Sequence, residues 1–471
     1  MIAFEDHFHL LKTELEKILD TALSKGGDFA ELYLEYRVYS FINMEEDIIK
    51  ETAESISLGL GIRVLSGEMT GYGYTNDLSS EKINKAALSA ASIASRRGGK
   101  NFFQFKKVKS KANVYAVSDP LHTTDLKQKI DLVKEAYLAC QKSAAKIKKV
   151  KVLFQDHVQH VSIINSEGLI SEDARPQAKL VCYAVAEKDG RKEIGYSGGG
   201  GRVGLGYFSQ VLTPKQVGQE AAEEALRLLE AVEAPAGEMP VVLAPGHSGV
   251  LVHEAVGHLL EADFNRKKTS IFWDKMGQRV GSPLVTIYDD PTIPSFRGSY
   301  NLDDEGTVPR KTLLIDKGIV TSYLQDRLSA RLMNLPLTGH GRRQDYTCAP
   351  IPRMSNTYIE RGQDDPGEIL KSVRRGIYTE KFEGGQVEDS GKFTFTISSG
   401  YLIEEGRLTA PIKQATLIGT NIDILRKIEM VGHDLAFGLQ TGTCGKEGQE
   451  VPVGDGCPTI KISEMTVGGR T

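Results

Sequence analysis

The chain has 471 residues, 40 % hydrophobic and 25 % charged, a globular composition long enough for two domains or slightly more. Its formal net charge is −4, and its short basic clusters, such as Lys106-Lys107-Val108-Lys109 and Arg266-Lys267-Lys268, are flanked by apolar or acidic residues, which argues against a nucleic-acid footprint. No run approaches the roughly 20 apolar residues of a membrane span, and the first residues lack a secretory pattern, so a cytoplasmic protein without membrane or nucleic-acid partners is expected.

In chain order, Phe8 to Lys25 places Leu11, Leu15, Ile18, Leu19 and Ala22 on one helical stripe, stopped by Gly26-Gly27. Glu31 to Tyr39 reads as a strand. Ile56 to Leu65 and Thr70 to Thr75 read as a hairpin across Ser66-Gly67-Glu68. Helical patterns return at Ser80 to Arg97 and Asp125 to Lys148, followed by strands at Val150 to Asn165 and Ala178 to Glu187 and a helix at Pro214 to Ala231. Gly199 to Gly204 formally fits a dinucleotide fingerprint, but Leu205-Gly206-Tyr207-Phe208 after it opens no helix, so a loop or strand junction is expected.

The small-residue segment Glu233 to Gly237 marks a boundary. The expected architecture is α+β in two domains: residues 1–235, mixed, and residues 236–471, β-rich and carrying one apolar helix over Val250 to Asp263 with Ser248 as its cap. That helix contains His253-Glu254-Ala255-Val256-Gly257-His258. Zinc peptidases commonly place two His four apart on one helix face with a Glu beside the first as general base. Here the spacing is five, which on an ideal helix splays the two rings by about 140°. A π-turn, eased by Gly257, brings them back together and is predicted here.

A catalytic zinc takes three protein ligands and an open position. Glu261, Asp263, His340, His433, Cys444 and Cys457 are the candidates for the third. On residue chemistry alone Glu261, three positions after His258, and Cys444, in a Gly-bracketed turn, stand level. Five widely spaced cysteines are no disulfide framework.

Several long segments carry a resemblance: HEAVGH, GIRVLSGEMTGYGYT, GSYNLDDEGTVPRKTLLIDKGIVTSYLQDRLSARLM, GHGRRQDY, PRMSNTYIERG and MVGHDLAF followed by TCGKEGQEVPVG. In this order they resemble the TldD/TldE (PmbA) peptidase family over nearly the whole chain. The resemblance implies a zinc metallopeptidase with His253, His258 and Cys444 as ligands and Glu254 as catalytic carboxylate. It is similar to the TldD-type subunit, which keeps the HExxxH motif that TldE-type subunits lack. It also implies unfolded or short peptides as substrate, and a dimer with a second copy or with a TldE/PmbA-type partner. A non-catalytic binding subunit and a His-His-Cys amidase are the alternative functions. His340, Arg342, Arg343 and Tyr346 are candidates by chemistry for a second donor to the oxyanion, and a sheet edge of the β-rich domain is expected to take an extended peptide.

Overall fold

The computed structural model describes residues 7–94, 103–110, 113–115, 117, 121–388 and 390–469. The last residues of the helix predicted from Ser80, Ser95 to Arg97, lie outside them. The first half is built on long antiparallel strands: β1 (Phe29–Glu45), β2 (Ile48–Ser66) and β3 (Met69–Thr75), then, after the short parallel β4 (Lys106–Val108), β5 (Ile147–Asn165), β6 (Leu169–Lys188) and β7 (Arg191–Gly201). They form one sheet in the order β3-β2-β1-β5-β6-β4, with β7 also on β6.

Side chains alternate across a strand, and β1 uses the alternation to separate two chemistries. Ala30, Leu32, Leu34, Ile42 and Met44 share one buried face. Helices α1 (Lys12–Leu23) and α2 (Ser80–Ala91) cover the first three, and α3 (Leu126–Lys142) and α4 (Pro214–Leu229) cover the rest. The opposite face carries Glu31, Tyr33, Glu35, Arg37 and Tyr39, and it meets the C-terminal half of the chain. There Arg63 bridges Glu31 at 2.8 Å and Glu305 at 2.6 Å, Arg343 pairs with Glu31, and Arg175 pairs with Asp304, all buried.

The predicted elements are present with shifted ends. The helix expected to run to Lys148 stops at Lys142, because Ile147, Val150 and Val152 are needed in β5; lysine-rich sequence has good helix propensity, and strand pairing overrides it. β1 and β2 run well beyond the predicted Glu31–Tyr39 and Ile56–Leu65 and join through Glu46-Asp47, both at positive φ (51° and 65°). That is the backbone of a tight hairpin without its usual Asn-Gly signal. The glycine run lies at the end of β7, where a Cβ on Gly200 would meet the Ala178 carbonyl at 2.1 Å.

The C-terminal half is β-rich. Strands Arg375–Val387, Gly237–Leu243, Ile460–Gly468, Ala415–Thr420 and Lys392–Glu404 pair in that order, and the last pairs back onto the first to close a ring. A six-stranded sheet, including Ile287–Asp289, Asn356–Ile359 and Gly454–Cys457, lies beside it. Leu251, Val252, Ala255, Val256, Leu259 and Leu260 are buried in the core shared by these layers, so the histidine segment runs through the middle of the packing. The α+β class with a β-rich C-terminal region is as expected.

Removing Glu31 leaves two buried guanidiniums short of a carboxylate. Glu31→Ala is expected to lower stability by about 3–5 kcal/mol, seen as a lower urea midpoint at unchanged slope. A loss below about 1 kcal/mol, the range of exposed pairs, would mean that the network does not hold the halves together.

Candidate metal centre

The segment His247–Leu260 is not one helix. A 3-10 turn (His247–Gly249) leads into an α-turn (Val250–Val252), a π-turn (His253–Gly257) and another 3-10 turn (His258–Leu260). The predicted wide turn is present. The predicted continuation to Asp263 is not: Glu261 is extended (φ −69°, ψ 133°), and a separate short helix covers Ala262–Arg266. Ser248 is not a cap either; its hydroxyl donates to the Thr379 carbonyl at 2.8 Å.

A π-turn leaves a carbonyl without its regular partner, and a buried carbonyl needs one. Asn421 supplies it, donating from Nδ2 to the Ala255 carbonyl. Gly257 is required by close packing: a Cβ there would lie 2.0 Å from Met354 Sδ. With the turn widened, the rings of His253 and His258 have centroids 5.3 Å apart and lie nearly perpendicular.

The structure brings His253, His258 and Cys444 together, with one donor atom from each within 4.8 Å of the others. Cys444 Sγ lies 3.2 Å from His258 Nε2. Donors around a tetrahedral ion at zinc bond lengths are separated by about 3.6 Å, so the group is close to that size. His253 Nδ1 is buried without a hydrogen-bond partner, a cost that an unfilled polar atom carries in a protein interior. The chemistry and spacing of these donors fit a metal ion.

Glu261, level with Cys444 on sequence alone, occupies the other side of His258. Its Oε2 accepts from His258 Nδ1 at 3.1 Å, which aims Nε2 at the cysteine. Burial alone would raise the Glu261 pKa, but Lys446 at 3.0 Å, His258 and Arg353 outweigh it and hold the carboxyl at about 2. Burial likewise disfavours a Cys444 thiolate, yet His253 and His258 lower its pKa to about 5. Burial works against charge on both histidines; Glu261 and then Cys444 raise the His258 pKa well above its ordinary value, and Cys444 with Glu254 raises that of His253.

The other candidates lie elsewhere. Asp263 is paired with Lys446 at 2.7 Å, and His340 bonds Asp289 and Thr338 at 2.9 Å each. The His433 side chain is 57 % exposed, and the Cys457 thiol donates to the Ala244 carbonyl at 3.4 Å. Arg342 donates to the carbonyls of Met354 and Pro452, Arg343 pairs with Glu31, and the Tyr346 N–H donates to Glu35. Glu254 is the solvent-reaching member of the motif, its side chain 34 % exposed and its Oε2 3.7 Å from His258 Nε2.

Three supporting residues are not singled out by residue chemistry or spacing, although Arg353 and Lys446 lie in segments that carry the resemblance. Arg353 donates to the Cys444 carbonyl at 2.6 Å and to the Gln449 carbonyl, tying down the hairpin Thr443–Lys446/Gln449–Pro452. Lys446 joins Glu261 to Asp263. Asp455 is buried beside the site with its pKa raised to about 7, by burial first and by Glu254, against the pull of His253. Each is an ordinary charged residue in sequence, and its role exists only where distant strands meet.

Family models of the PmbA/TldA metallopeptidase match the chain in three pieces: domain 1 over residues 30–94, the central domain over 119–229 and the C-terminal domain over 236–469. The chain is 42 % identical to the metalloprotease TldD homolog of Haemophilus influenzae, over 97 % of this chain and 96 % of that one. It is 26 % identical to the zinc metalloprotease TldD homolog of Saccharolobus solfataricus, over 96 % and 99 %. Among solved structures, TldE from Thermococcus kodakarensis shares the fold with a TM-score of 0.75 at 19 % identity, covering 97 % of this chain and all of that one.

Gly257→Ala is expected to lower stability by about 1–3 kcal/mol through overpacking against Met354. Gly257→Ala combined with Met354→Ala should recover part of that loss. Thermal unfolding of the two variants checks it, and equal melting temperatures for Gly257→Ala and the parent would show that the contact yields freely.

Proposed function

This chain belongs to the PmbA/TldD metallopeptidase family, and from that premise we propose that it is a zinc-dependent, TldD-type peptidase of the cytoplasm that hydrolyses unfolded or short peptides. The observation that carries the proposal is the meeting of His253, His258 and Cys444 at the π-turn, beside the partly exposed Glu254.

His253, His258 and Cys444 would hold the zinc, with residues 236–471 forming the metallopeptidase unit and residues 1–235 the second unit. A zinc ion held there would supply Lewis acidity and would acidify a water molecule. Glu254, the solvent-reaching carboxylate of the motif, would accept the proton of the attacking water and pass it to the leaving amine, a role typically contributing ~10²–10⁴-fold. Glu261 keeps His258 in one tautomer, with the proton on Nδ1 and the lone pair of Nε2 free for the metal. The low pKa of Cys444 keeps its sulfur a thiolate, the form that binds metal.

The substrate path is proposed along the edge strand Ala436–Phe437, the outer member of the six-stranded sheet. This strand pairs with Gly454–Cys457, which carries Asp455, and lines a cleft of about 690 Å³ together with Gly246, His247 and Lys381. Backbone addition to such an edge tolerates varied sequences. The working unit is proposed to be a dimer, with a second copy or with a TldE/PmbA-type subunit.

Elemental analysis and digestion of an unfolded peptide pool test the roles together. The parent and Glu254→Ala should carry near-stoichiometric zinc, and His258→Ala and Cys444→Ala should carry little. Cleavage should fall by ~10²-fold or more in Glu254→Ala and stop with chelator. Absence of both metal and cleavage from all four proteins, alone and with a TldE-type partner, would leave a non-catalytic binding subunit as the function.

Glu261→Gln should weaken metal affinity by about 10–100-fold through loss of the support to His258. Competition with a chromophoric chelator measures it, and unchanged affinity would remove Glu261 from the site.

A further inference from the structure

Between the polar face of the N-terminal sheet and the C-terminal half lies a cavity of about 370 Å³, within the ~300–1,000 Å³ range of ligand pockets. Arg37 comes to it from β1, Lys179 from β6, Arg202 from just after β7, and, in the C-terminal half, Arg297 from a loop and Arg342 from the short strand Gly341–Arg342. Among the described residues none of these five is ion-paired, whereas the cavity's other two arginines, Arg175 and Arg343, are held by Asp173, Asp304 and Glu31.

The unpaired guanidiniums are not surface groups. Arg202, Arg297 and Arg342 are 3 %, 6 % and 4 % exposed. They meet only neutral oxygens: Arg202 the Ser299 carbonyl and Gln177, Arg297 the Gly442 carbonyl and the Thr443 hydroxyl, Arg342 two carbonyls. Arg37 bonds the imidazole of His157 and lies over the Tyr39 ring, and its Nε is buried with no partner.

The acids on the lining do not balance them. Asp304 is taken by Arg175. Burial and the neighbouring Glu305 raise the Asp303 pKa, and its two oxygens are taken by the backbone N–H groups of Glu305, Thr307 and Gly341 rather than by any of the five cations. Glu450 sits exposed in the hairpin at the rim. The resulting field is legible in the groups themselves. Burial, then the charges of Arg202, Arg37 and Arg342, lowers the Arg297 pKa to about 9; burial and Arg297 lower that of Lys179 to about 8. Buried like charges held together without counter-charge are unfavourable unless something anionic joins them.

We propose that this cavity binds a multiply charged oxyanion, and that its source is an acidic segment of a peptide. Forked guanidiniums match carboxylate and phosphate oxygens alike, so the cavity itself specifies the oxyanion. The choice of a peptide rests on the peptidase reading above. Thr443 lines the cavity, and the next residue is Cys444; successive strand residues face opposite sides, so one hairpin separates this cavity from the metal centre. An acidic segment seated here would be held one strand away from the place of cleavage.

The test is calorimetric titration of the full-length protein with hexaglutamate, hexaglutamine and pyrophosphate, at low and high salt. Hexaglutamate should bind and hexaglutamine should not, with affinity falling as salt rises. Arg297→Gln and the milder rim substitution Lys179→Gln should each weaken hexaglutamate binding about tenfold or more while keeping the parent's circular dichroism. Binding of pyrophosphate but not hexaglutamate would uphold the oxyanion site and overturn the peptide as its source. Absence of binding by both anions, or binding equal in the parent and a folded Lys179→Gln, would overturn the site. A protein that binds hexaglutamate yet cleaves no peptide would leave the cavity standing and remove the peptidase reading, so the two fail separately.

Discussion

Two histidines five residues apart share a helix face only where the helix is widened, and much of the C-terminal half is arranged around that widening. The π-turn over His253–Gly257 frees the Ala255 carbonyl, which Asn421 reaches from a different element. It also brings the backbone at Gly257 against Met354, leaving no room for a side chain. Met354 in turn donates its N–H to Glu261, the residue that fixes His258. One spacing in the sequence thus goes with a glycine, an asparagine and the approach of a segment from more than 90 residues away.

The same centre shows how burial and charge are weighed. Taking Glu261 fully out of water costs several kcal/mol, and alone would leave a neutral acid. The Lys446 ammonium, His258 Nδ1 and the Arg353 guanidinium reverse that outcome, and the carboxyl stays ionised. An ionised Glu261 on Nδ1 leaves Nε2 as the outward donor atom, so the protonation of a residue outside the cluster decides which nitrogen enters it. Cys444 is held by comparable means, its backbone tied by Arg353 and its thiol made acidic by the two imidazoles.

The sequence displays what is local. The alternation in Ala30, Leu32 and Leu34 announces the buried face of β1, and the stripe of Leu15, Ile18, Leu19 and Ala22 announces the helix that covers it. The five-residue spacing beside Gly257 is enough to expect the wide turn. The break at Glu261 is hidden because Leu259, Leu260 and Ala262 continue an apolar pattern that favours helix, while the Ala262 N–H is drawn to the Leu324 carbonyl of another segment. Glu261 and Cys444, level on residue chemistry and separated in the sequence by the resemblance alone, meet opposite nitrogens of the same ring in three dimensions. The cationic cavity is wholly non-local, since Arg37, Lys179, Arg202, Arg297 and Arg342 are scattered over some 300 positions and form no basic run.

Arg297 shows how closely the cavity adjoins the metal centre. Its guanidinium bonds the Gly442 carbonyl and the Thr443 hydroxyl, the two residues before Cys444. Arg342 bonds the Pro452 carbonyl, and Pro452 pairs with Thr443 across the hairpin. Both cations therefore grip the strand pair that presents the sulfur, and both are repelled by their neighbours in the cavity. An anion bound between them, as proposed above, would offset that repulsion. Cys444 itself does not face the cavity, and the two arginines reach its strand only through Gly442, Thr443 and Pro452.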